Sequence, residues 1–274
     1  GGANQTVSTT GGSSAVTVAV PTSPSGTYIY SLTGVQDAAA SACGTASGSA
    51  TVTVNPLPTA SIGGATAVCQ NTTAPSVTFT GGNATAPYTF VYTINGGANQ
   101  TVSTTGGNST VTVTAPTNAP GSFVYALVSV TDGSSTACNN TANGSTTVTI
   151  NPLPTASIAT STPNICETAS GTITFTGAVG AAPYSFTYKL NNGVTQTIST
   201  TGANTSVSLT MSNVPGTYTY NLLGVADALG CTQAQSGTAI IVIDPLPTAT
   251  SGGSHTICQN ASYTLQNAEA SQTN

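Results

Sequence analysis

One proline-rich phrase recurs along the chain and strongly constrains what the chain can fold into. It reads Asn-Pro-Leu-Pro-Thr-Ala-Ser-Ile from Asn55 and from Asn151, and a variant, Asp-Pro-Leu-Pro-Thr-Ala-Thr, starts at Asp244. These starts are 96 and 93 residues apart. A fixed period of this size indicates one folded unit copied in tandem, so function is expected to belong to the array before it belongs to any single residue.

Longer segments repeat with the same period and set the expected boundaries. The twelve residues at 1–12 return unchanged at 96–107. Overlaying the copies makes 1–58 the second part of a repeat and 248–274 the opening of another. The two complete repeats are 59–154, called the first complete repeat here, and 155–247, the second. We therefore expect the chain to be a window of a longer protein.

The composition excludes several classes of function. Charged residues make up 3% of the 274 residues, with one lysine, no arginine and a net charge of −5. Phosphate backbones and anionic membranes are bound by several basic side chains, so nucleic-acid binding and membrane binding by basic residues are excluded. Apolar residues alternate with Ser and Thr instead of forming runs long enough to insert into a membrane. A surface of hydroxyls and amides suits an extracellular chain.

Six cysteines recur at two positions of the repeat. The early cysteines, Cys69, Cys166 and Cys258, follow the Pro-Leu-Pro phrases, and the late cysteines, Cys43, Cys138 and Cys231, stand near the end of each unit. Two per repeat indicate structural disulfides in an oxidising compartment. No CxxC or histidine partner accompanies them, which disfavours metal binding.

Two pairing schemes fit the spacing. We expect pairing within each repeat, Cys69 with Cys138 and Cys166 with Cys231. The alternative pairs cysteines across each linker: Cys43 with Cys69, Cys138 with Cys166, and Cys231 with Cys258. It leaves no cysteine over, but it forces the extended linker to double back until the Cα atoms come within about 7 Å.

Alternation with period two predicts an all-β chain of tandem immunoglobulin-like sandwiches. In the first complete repeat, strands are predicted near 75–81, 87–95, 99–105, 109–114, 122–131 and 145–151, with a short strand before Cys69. The large apolar side chains fall on one face of two strands per repeat and are predicted to form the core. They are Tyr88, Phe90, Tyr92 and Ile94; Tyr184, Phe186, Tyr188 and Leu190; Phe123, Tyr125 and Leu127; Tyr218, Tyr220 and Leu222; and Tyr28, Tyr30 and Leu32.

Rows of tyrosine also occur in carbohydrate-binding platforms. Their recurrence at period two among apolar neighbours favours the core over a ligand platform. We further predict that Tyr30, Tyr125 and Tyr220 act as tyrosine corners, with the hydroxyl bonded to nearby backbone.

Each unit joins the next through a short linker that we expect to be stiff. Two prolines fix φ and favour extended backbone, and the leucine between them is expected to pack on a neighbouring domain. The linker residues are Pro56, Leu57 and Pro58; Pro152, Leu153 and Pro154; and Pro245, Leu246 and Pro247.

Few residues here carry chemistry. Asp37, Asp132 and Asp227 recur shortly before each late cysteine. A calcium site is one interpretation, but one carboxylate per repeat favours a capped turn. Lys189 corresponds to Thr93 in the preceding repeat, which excludes a general lysine crosslink. The lone His255 has no counterpart, and no catalytic set can be assembled. We predict no enzyme activity and no cofactor.

The whole chain resembles the tandem immunoglobulin-like or PKD-like repeats of giant Bacteroidota cell-surface proteins, among them gliding-motility adhesins. The resemblance is carried by the Asn-Pro-Leu-Pro-Thr-Ala-Ser-Ile phrase, by Ala-Pro-Tyr-Thr-Phe-Val-Tyr-Thr-Ile-Asn-Gly-Gly, and by Gly-Thr-Tyr-x-Tyr-x-Leu. It implies secretion to the cell surface, by the type IX system, and service in adhesion or motility.

Two functions are therefore expected from the sequence. The first is a structural stalk or filament, whose partners are neighbouring repeats of the chain and lateral copies in a fibre. The second is a polysaccharide-binding array that gains avidity from repetition, with surface glycans as partners.

Overall fold

The structure is a computed structural model, and it describes residues 3–37, 44–211, 213–250, 254, 256–262 and 269–271. Every regular element in these residues is a β-strand. Within the same residues no helix is long and apolar enough to cross a membrane. The predicted all-β class is confirmed.

The strands follow the period-two pattern of the sequence. Before the first complete repeat they are β1 (Gly26–Ser31) and β2 (Ser49–Val54). The next group is β3 (Thr59–Gly63), β4 (Thr66–Cys69), β5 (Ser76–Gly82), β6 (Thr89–Ile94), β7 (Gln100–Ser103), β8 (Thr110–Thr114), β9 (Gly121–Thr131), β10 (Asn139–Thr141) and β11 (Ser145–Asn151). The third group is β12 (Thr155–Thr160), β13 (Asn164–Cys166), β14 (Thr172–Ala178), β15 (Ser185–Leu190), β16 (Thr195–Ser199), β17 (Ser206–Thr210), β18 (Gly216–Ala226) and β19 (Thr232–Asp244). The last are β20 (Thr248–Thr250) and β21 (Glu269–Ser271).

The strands of each complete repeat form two sheets of the same order. In the first complete repeat the sheets are β3-β5-β8 and β4-β11-β9-β6-β7, with β10 beside β9. In the second they are β12-β14-β17 and β13-β19-β18-β15-β16. A three-stranded sheet facing a larger one is the arrangement of an immunoglobulin-like sandwich. The chain also divides into two compact units, whose boundaries differ from those of the repeats. The second unit consists of residues 67–74, 116–122 and 149–274, and the first consists of the rest.

The first unit has an aromatic core. The ring centroids of Phe79, on β5, and Tyr92, on β6, are 4.9 Å apart, so the two sheets meet through their rings. These side chains belong to a set that is buried: Val77, Phe79, Tyr88, Phe90, Tyr92, Tyr125, Leu127, Val130 and Val148. Phe and Tyr bury large apolar areas, which compensates for the absence of tryptophan.

The second unit repeats this core with nearly the same distances. Phe175 and Tyr188 have ring centroids 5.0 Å apart. Burial raises the pKa of the Tyr188 and Tyr220 hydroxyls, and it does the same for Tyr92 and Tyr125 in the first unit. The predicted core aromatics of both complete repeats are confirmed except Phe123 and Tyr218, which are half-buried. The buried rings are not available as a ligand platform.

The predicted strands of the first complete repeat are found with small shifts, and two strands were missed. These are β3, directly after Pro58, and the short β10. A five-residue strand beside a proline linker and a three-residue strand in a polar segment carry too few alternations to be recognised.

The face predicted for the segment 1–58 is only partly buried. Tyr28 and Tyr30 of the β1–β2 hairpin are half-buried, and Leu32 is 57% exposed. This face borders a groove of about 880 Å³. The corresponding residues of the complete repeats, such as Tyr125 and Leu127, lie against a second sheet and are buried. The groove is therefore lined in part by side chains whose counterparts in the complete repeats are buried.

The tyrosine-corner prediction is corrected by the structure. The Tyr220 hydroxyl donates to the sulfur of Met211 at 3.1 Å, not to backbone. Bonds to a carbonyl four residues earlier are donated instead by Tyr88, Tyr184, Tyr28 and Tyr218. Residue spacing identifies the strand, but which tyrosine of the alternating row faces a turn depends on where the strand ends.

Candidate functional site

A disulfide joins the two complete repeats. It links Cys69, an early cysteine, to Cys231, a late cysteine, over a separation of 162 residues. The Cα atoms are 5.5 Å apart, which is typical of disulfides. Both residues belong to the second unit, and Cys231 is fully buried.

The loop that carries Cys231 is held by one carboxylate. Asp227 Oδ1 accepts hydrogen bonds from the backbone N–H of Cys231 at 2.9 Å and of Leu229 at 3.0 Å. Its Oδ2 accepts from the N–H of Ala181 at 3.1 Å, in the loop between β14 and β15. The backbone N–H of Asp227 donates to the carbonyl of Cys231, which closes the turn. Hydrogen bonds as well as the disulfide therefore hold Cys231 in this turn.

The turn that carries Cys69 is fixed by backbone bonds. The N–H of Gln70 donates to the carbonyl of Asn151 at 2.8 Å, and the N–H of Asn71 donates to the carbonyl of Thr117 at 2.9 Å. The hydroxyl of Thr72 donates to the carbonyl of Cys69 itself. Asn151 is the last residue of β11 and precedes Pro152. Cys69 thus lies at the end of its repeat that leads into the next linker.

The pairing within each repeat is wrong, and strand geometry gives the reason. Cys166 lies opposite Asp244, at the end of β19, because β13 runs parallel to β19. Cys231 precedes Thr232, the first residue of the same strand, which has 13 residues. At about 3.3 Å per residue the two cysteines are roughly 40 Å apart, far beyond the reach of a disulfide.

The pairing across each linker is also wrong. Cys138 and Cys166 are free thiols, and so is Cys258. Each of the first two lies at the end of its own repeat away from the linker 152–154: Cys138 comes before β10 and β11, and Cys166 lies beside Asp244. Cys43 lies outside the described residues.

Cys138, the late cysteine of the first complete repeat, stands in a loop that corresponds to the loop of Cys231. Asp132 Oδ1 accepts from the backbone N–H of Cys138 at 2.8 Å and from the hydroxyl of Ser134 at 2.8 Å. The N–H of Asp132 donates to the carbonyl of Cys138, as Asp227 does to Cys231. Asp132 and Asp227 therefore cap their turns, as the sequence predicts.

Charge in this loop is stabilised by hydrogen bonds. Burial raises the pKa of the Asp132 carboxyl, but bonds from the Ser134 hydroxyl and from the backbone of Cys138, Ser134 and Thr85 outweigh it and hold the pKa below its ordinary value. Within the described ranges no group of three or more His, Cys, Asp or Glu side chains could hold a metal ion. His255 lies outside those ranges.

The linker prediction needs one correction. In the linker 56–58 it is Pro58 that is buried, while Leu57 is 54% exposed. Pro154 is likewise buried, Leu153 is half-buried, and Leu246 is exposed. Side chains alternate along an extended segment, so the residue before a buried proline points outward.

Side chains of the first complete repeat hold the preceding linker. Asn83 Nδ2 donates to the carbonyl of Leu57 at 3.1 Å, and Asn140 Nδ2 donates to the carbonyl of Pro58 at 2.9 Å. Asn55 Nδ2 donates to Thr136 Oγ1 at 2.8 Å. The first complete repeat thus holds the backbone of this linker by hydrogen bonds.

Comparison with known proteins gives structural likenesses only. No protein-family model and no curated protein matches the sequence. A 1.5-MDa bacterial ice-binding adhesin structure is similar at 19% identity and a TM-score of 0.40, covering 76% of this chain and 72% of that one. A Ca²⁺-stabilised ice-binding adhesin of an Antarctic bacterium gives 16% and 0.42, covering 77% and 56%. The Yersinia pseudotuberculosis adhesin InvE gives 14% and 0.25, covering 69% and 60%. Because all three TM-scores are below 0.5, the fold assignment rests on this chain's own strand order.

Proposed function

We propose that the chain is a structural spacer segment that carries tension in a long extracellular surface protein, which serves in adhesion or gliding motility. The observation that supports this most is the disulfide between Cys69 and Cys231. It links an early strand of one repeat to the turn that precedes the last long strand of the next. Tension applied along the chain then passes through the S–S bond and bypasses the residues between.

Other features are consistent with a spacer. The Pro-Leu-Pro linker is held by hydrogen bonds to Leu57 and Pro58 carbonyls. A disulfide fits an oxidising, extracellular location, and the resemblance to Bacteroidota surface repeats implies the type IX route. Most tyrosines of the two complete repeats are buried, and Tyr28, Tyr30 and Tyr218 are half-buried, which weakens the support for a polysaccharide-binding array. Neighbouring repeats are the partners that this function requires, and lateral copies in a fibre are its extension.

Length measurements on extended arrays test this function. Inserting one or two further copies of residues 59–247 after Pro247 gives arrays whose contour length, in rotary-shadowed electron micrographs, is expected to grow in proportion to repeat number. Glycan arrays probed with the same proteins are expected to remain unlabelled. Particles whose length does not grow, or glycan binding that strengthens steeply with repeat number, would contradict the spacer and favour the binding array.

A further inference from the structure

We infer that Cys138 and Cys166 each form an inter-repeat disulfide of the kind seen between Cys69 and Cys231. Each bonds to a cysteine of an adjacent repeat of this type, and the two do not bond to each other. An early cysteine bonds to the late cysteine one repeat further on, as Cys69 bonds to Cys231. By this rule the partner of Cys166 is the late cysteine of a following repeat. The partner of Cys138 is the early cysteine of a preceding one.

The Cys138 half-site is built like the bonded one. The backbone N–H of Cys138 donates to Asp132 Oδ1 at 2.8 Å, and that of Cys231 donates to Asp227 Oδ1 at 2.9 Å. In both loops the aspartate N–H returns a bond to the cysteine carbonyl. The two loops differ in length, but they share this reciprocal pair of hydrogen bonds between the aspartate and the cysteine.

The Cys166 half-site matches Cys69 in the same way. The N–H of Glu167 donates to the carbonyl of Asp244 at 3.0 Å, as Gln70 does to Asn151. The N–H of Ala169 donates to the carbonyl of Cys166, as Thr72 does to Cys69. Cys166 itself is exposed, so its thiol is open to a partner.

A second observation places the end of the preceding repeat beside Cys138. Asn55, which precedes Pro56 as Asn151 precedes Pro152, bonds to Thr136 Oγ1 at 2.8 Å. That hydroxyl lies 3.3 Å from the Cys138 sulfur. Asn151 is the residue whose carbonyl binds Gln70, the neighbour of Cys69. By analogy, an early cysteine of the preceding repeat would lie beside Asn55 and therefore close to Cys138.

The bond forms by thiol–disulfide exchange with a small disulfide oxidant. The thiolate of one cysteine attacks the oxidant's disulfide and releases one reduced thiol, leaving a mixed disulfide. The thiolate of the other cysteine attacks this mixed disulfide and releases the second thiol. Two protons and two electrons pass from the cysteine pair to the oxidant, and one S–S bond replaces another.

An extended array tests this inference. A second copy of residues 59–247 is inserted after Pro247 of the full chain, so that Cys166 of the first copy is followed by Cys138 of the second. Cys138→Ser in the first copy and Cys166→Ser in the second leave a single Cys166 and a single Cys138 in the array. The protein is refolded with oxidised glutathione, alkylated and digested with pepsin without reduction.

The expected result is a peptide pair joining Cys166 to Cys138 in monomeric protein, with loss of alkylation at both thiols. The Cys69–Cys231 pair, recovered from the same digest, shows that the array has folded. A control array that also carries Cys166→Ser in the first copy is expected to regain alkylation at Cys138 of the second copy. Recovery of Cys138 and Cys166 as alkylated thiols beside an intact Cys69–Cys231 pair, or linkage of Cys138 to any other cysteine, would overturn the inference.

Discussion

Cys231 and Cys138 occupy equivalent loops of the two complete repeats, yet only Cys231 is bonded. Both are held by an aspartate cap with nearly equal hydrogen bonds, 2.9 and 2.8 Å from the cysteine N–H. Cys231 is fully buried by its disulfide, whereas Cys138 is a half-buried thiol. The conformation of the loop therefore depends on hydrogen bonds within its own repeat, whereas the disulfide depends on a cysteine of the neighbouring repeat. A single repeat is enough for the loop, and two adjacent repeats are needed for the bond.

The largest expected effect is mechanical. Pulling the 274-residue chain by its ends is expected to release about 570 Å more contour length after reduction, because the disulfide encloses a separation of 162 residues and an extended residue spans about 3.5 Å. Optical-tweezer extension curves measure this length. Cys69→Ser is the control and should give the long extension without reductant. Equal extensions for oxidised and reduced wild-type protein would show that tension does not pass through this bond.

Core truncation is expected to cost the same in both repeats. Phe79→Ala and Phe175→Ala each remove a fully buried ring that packs on a tyrosine at 4.9 or 5.0 Å. Such substitutions typically lower the free energy of unfolding by about 3–5 kcal/mol. Hydrogen exchange in β5 and β14 measures each loss separately. A clearly smaller loss at Phe175 in oxidised protein, equalised by reduction, would mean that the disulfide also supports the core.

Serine substitutions at the two late cysteines are expected to differ. Cys231→Ser removes the disulfide and should lower the free energy of unfolding by about 2–4 kcal/mol through loss of the chain constraint. Cys138→Ser replaces a thiol that has no disulfide in this chain and should change it by no more than about 0.5 kcal/mol. Urea titration followed by circular dichroism compares the two. Equal losses of unfolding free energy in the two variants would contradict the conclusion that only Cys231 is bonded.

The smallest expected effect concerns the aspartate cap and pH. The pKa of Asp132 is lowered on folding, so its carboxylate stabilises the fold above the ordinary value of 3.8, and this contribution is lost as the pH falls through that value towards the lower folded pKa. Asp132→Asn should cost about 1–2 kcal/mol at pH 7, since bonds to a charged acceptor are lost. Urea titrations at pH 7 and pH 3 measure this; a variant as pH-dependent as the wild type would contradict the cap.

Much of the fold could be predicted from alternation. Tyr88, Phe90 and Tyr92 recur at period two among β-formers, and this pattern fixes both the strand and the buried face. The pattern could not say which tyrosine reaches a turn carbonyl, because that depends on the residues at which strands end. The linker leucine was expected to pack on a neighbouring domain, but Leu57 is exposed because side chains alternate from the buried Pro58.

The disulfide could not be predicted because the spacing of the cysteines does not show at which end of its repeat each cysteine lies. Pairing inside a repeat looks natural until the parallel alignment of Cys166 with Asp244 is known. That alignment puts the early and late cysteines at opposite ends of one long strand, so each can only bond outside its repeat. The aspartate that recurs before each late cysteine indicates a capped turn, but it does not show which cysteine forms the disulfide with the late cysteine.

The most direct measurement of the central claim is peptide mapping of the oxidised 274-residue chain without reduction. One lysine and no arginine make trypsin unsuitable, so pepsin is used after the free thiols are alkylated. The account predicts a linked pair containing Cys69 and Cys231, with Cys138 and Cys166 alkylated. Pairs of Cys69 with Cys138 and of Cys166 with Cys231 would contradict it, because each repeat would then be closed on itself.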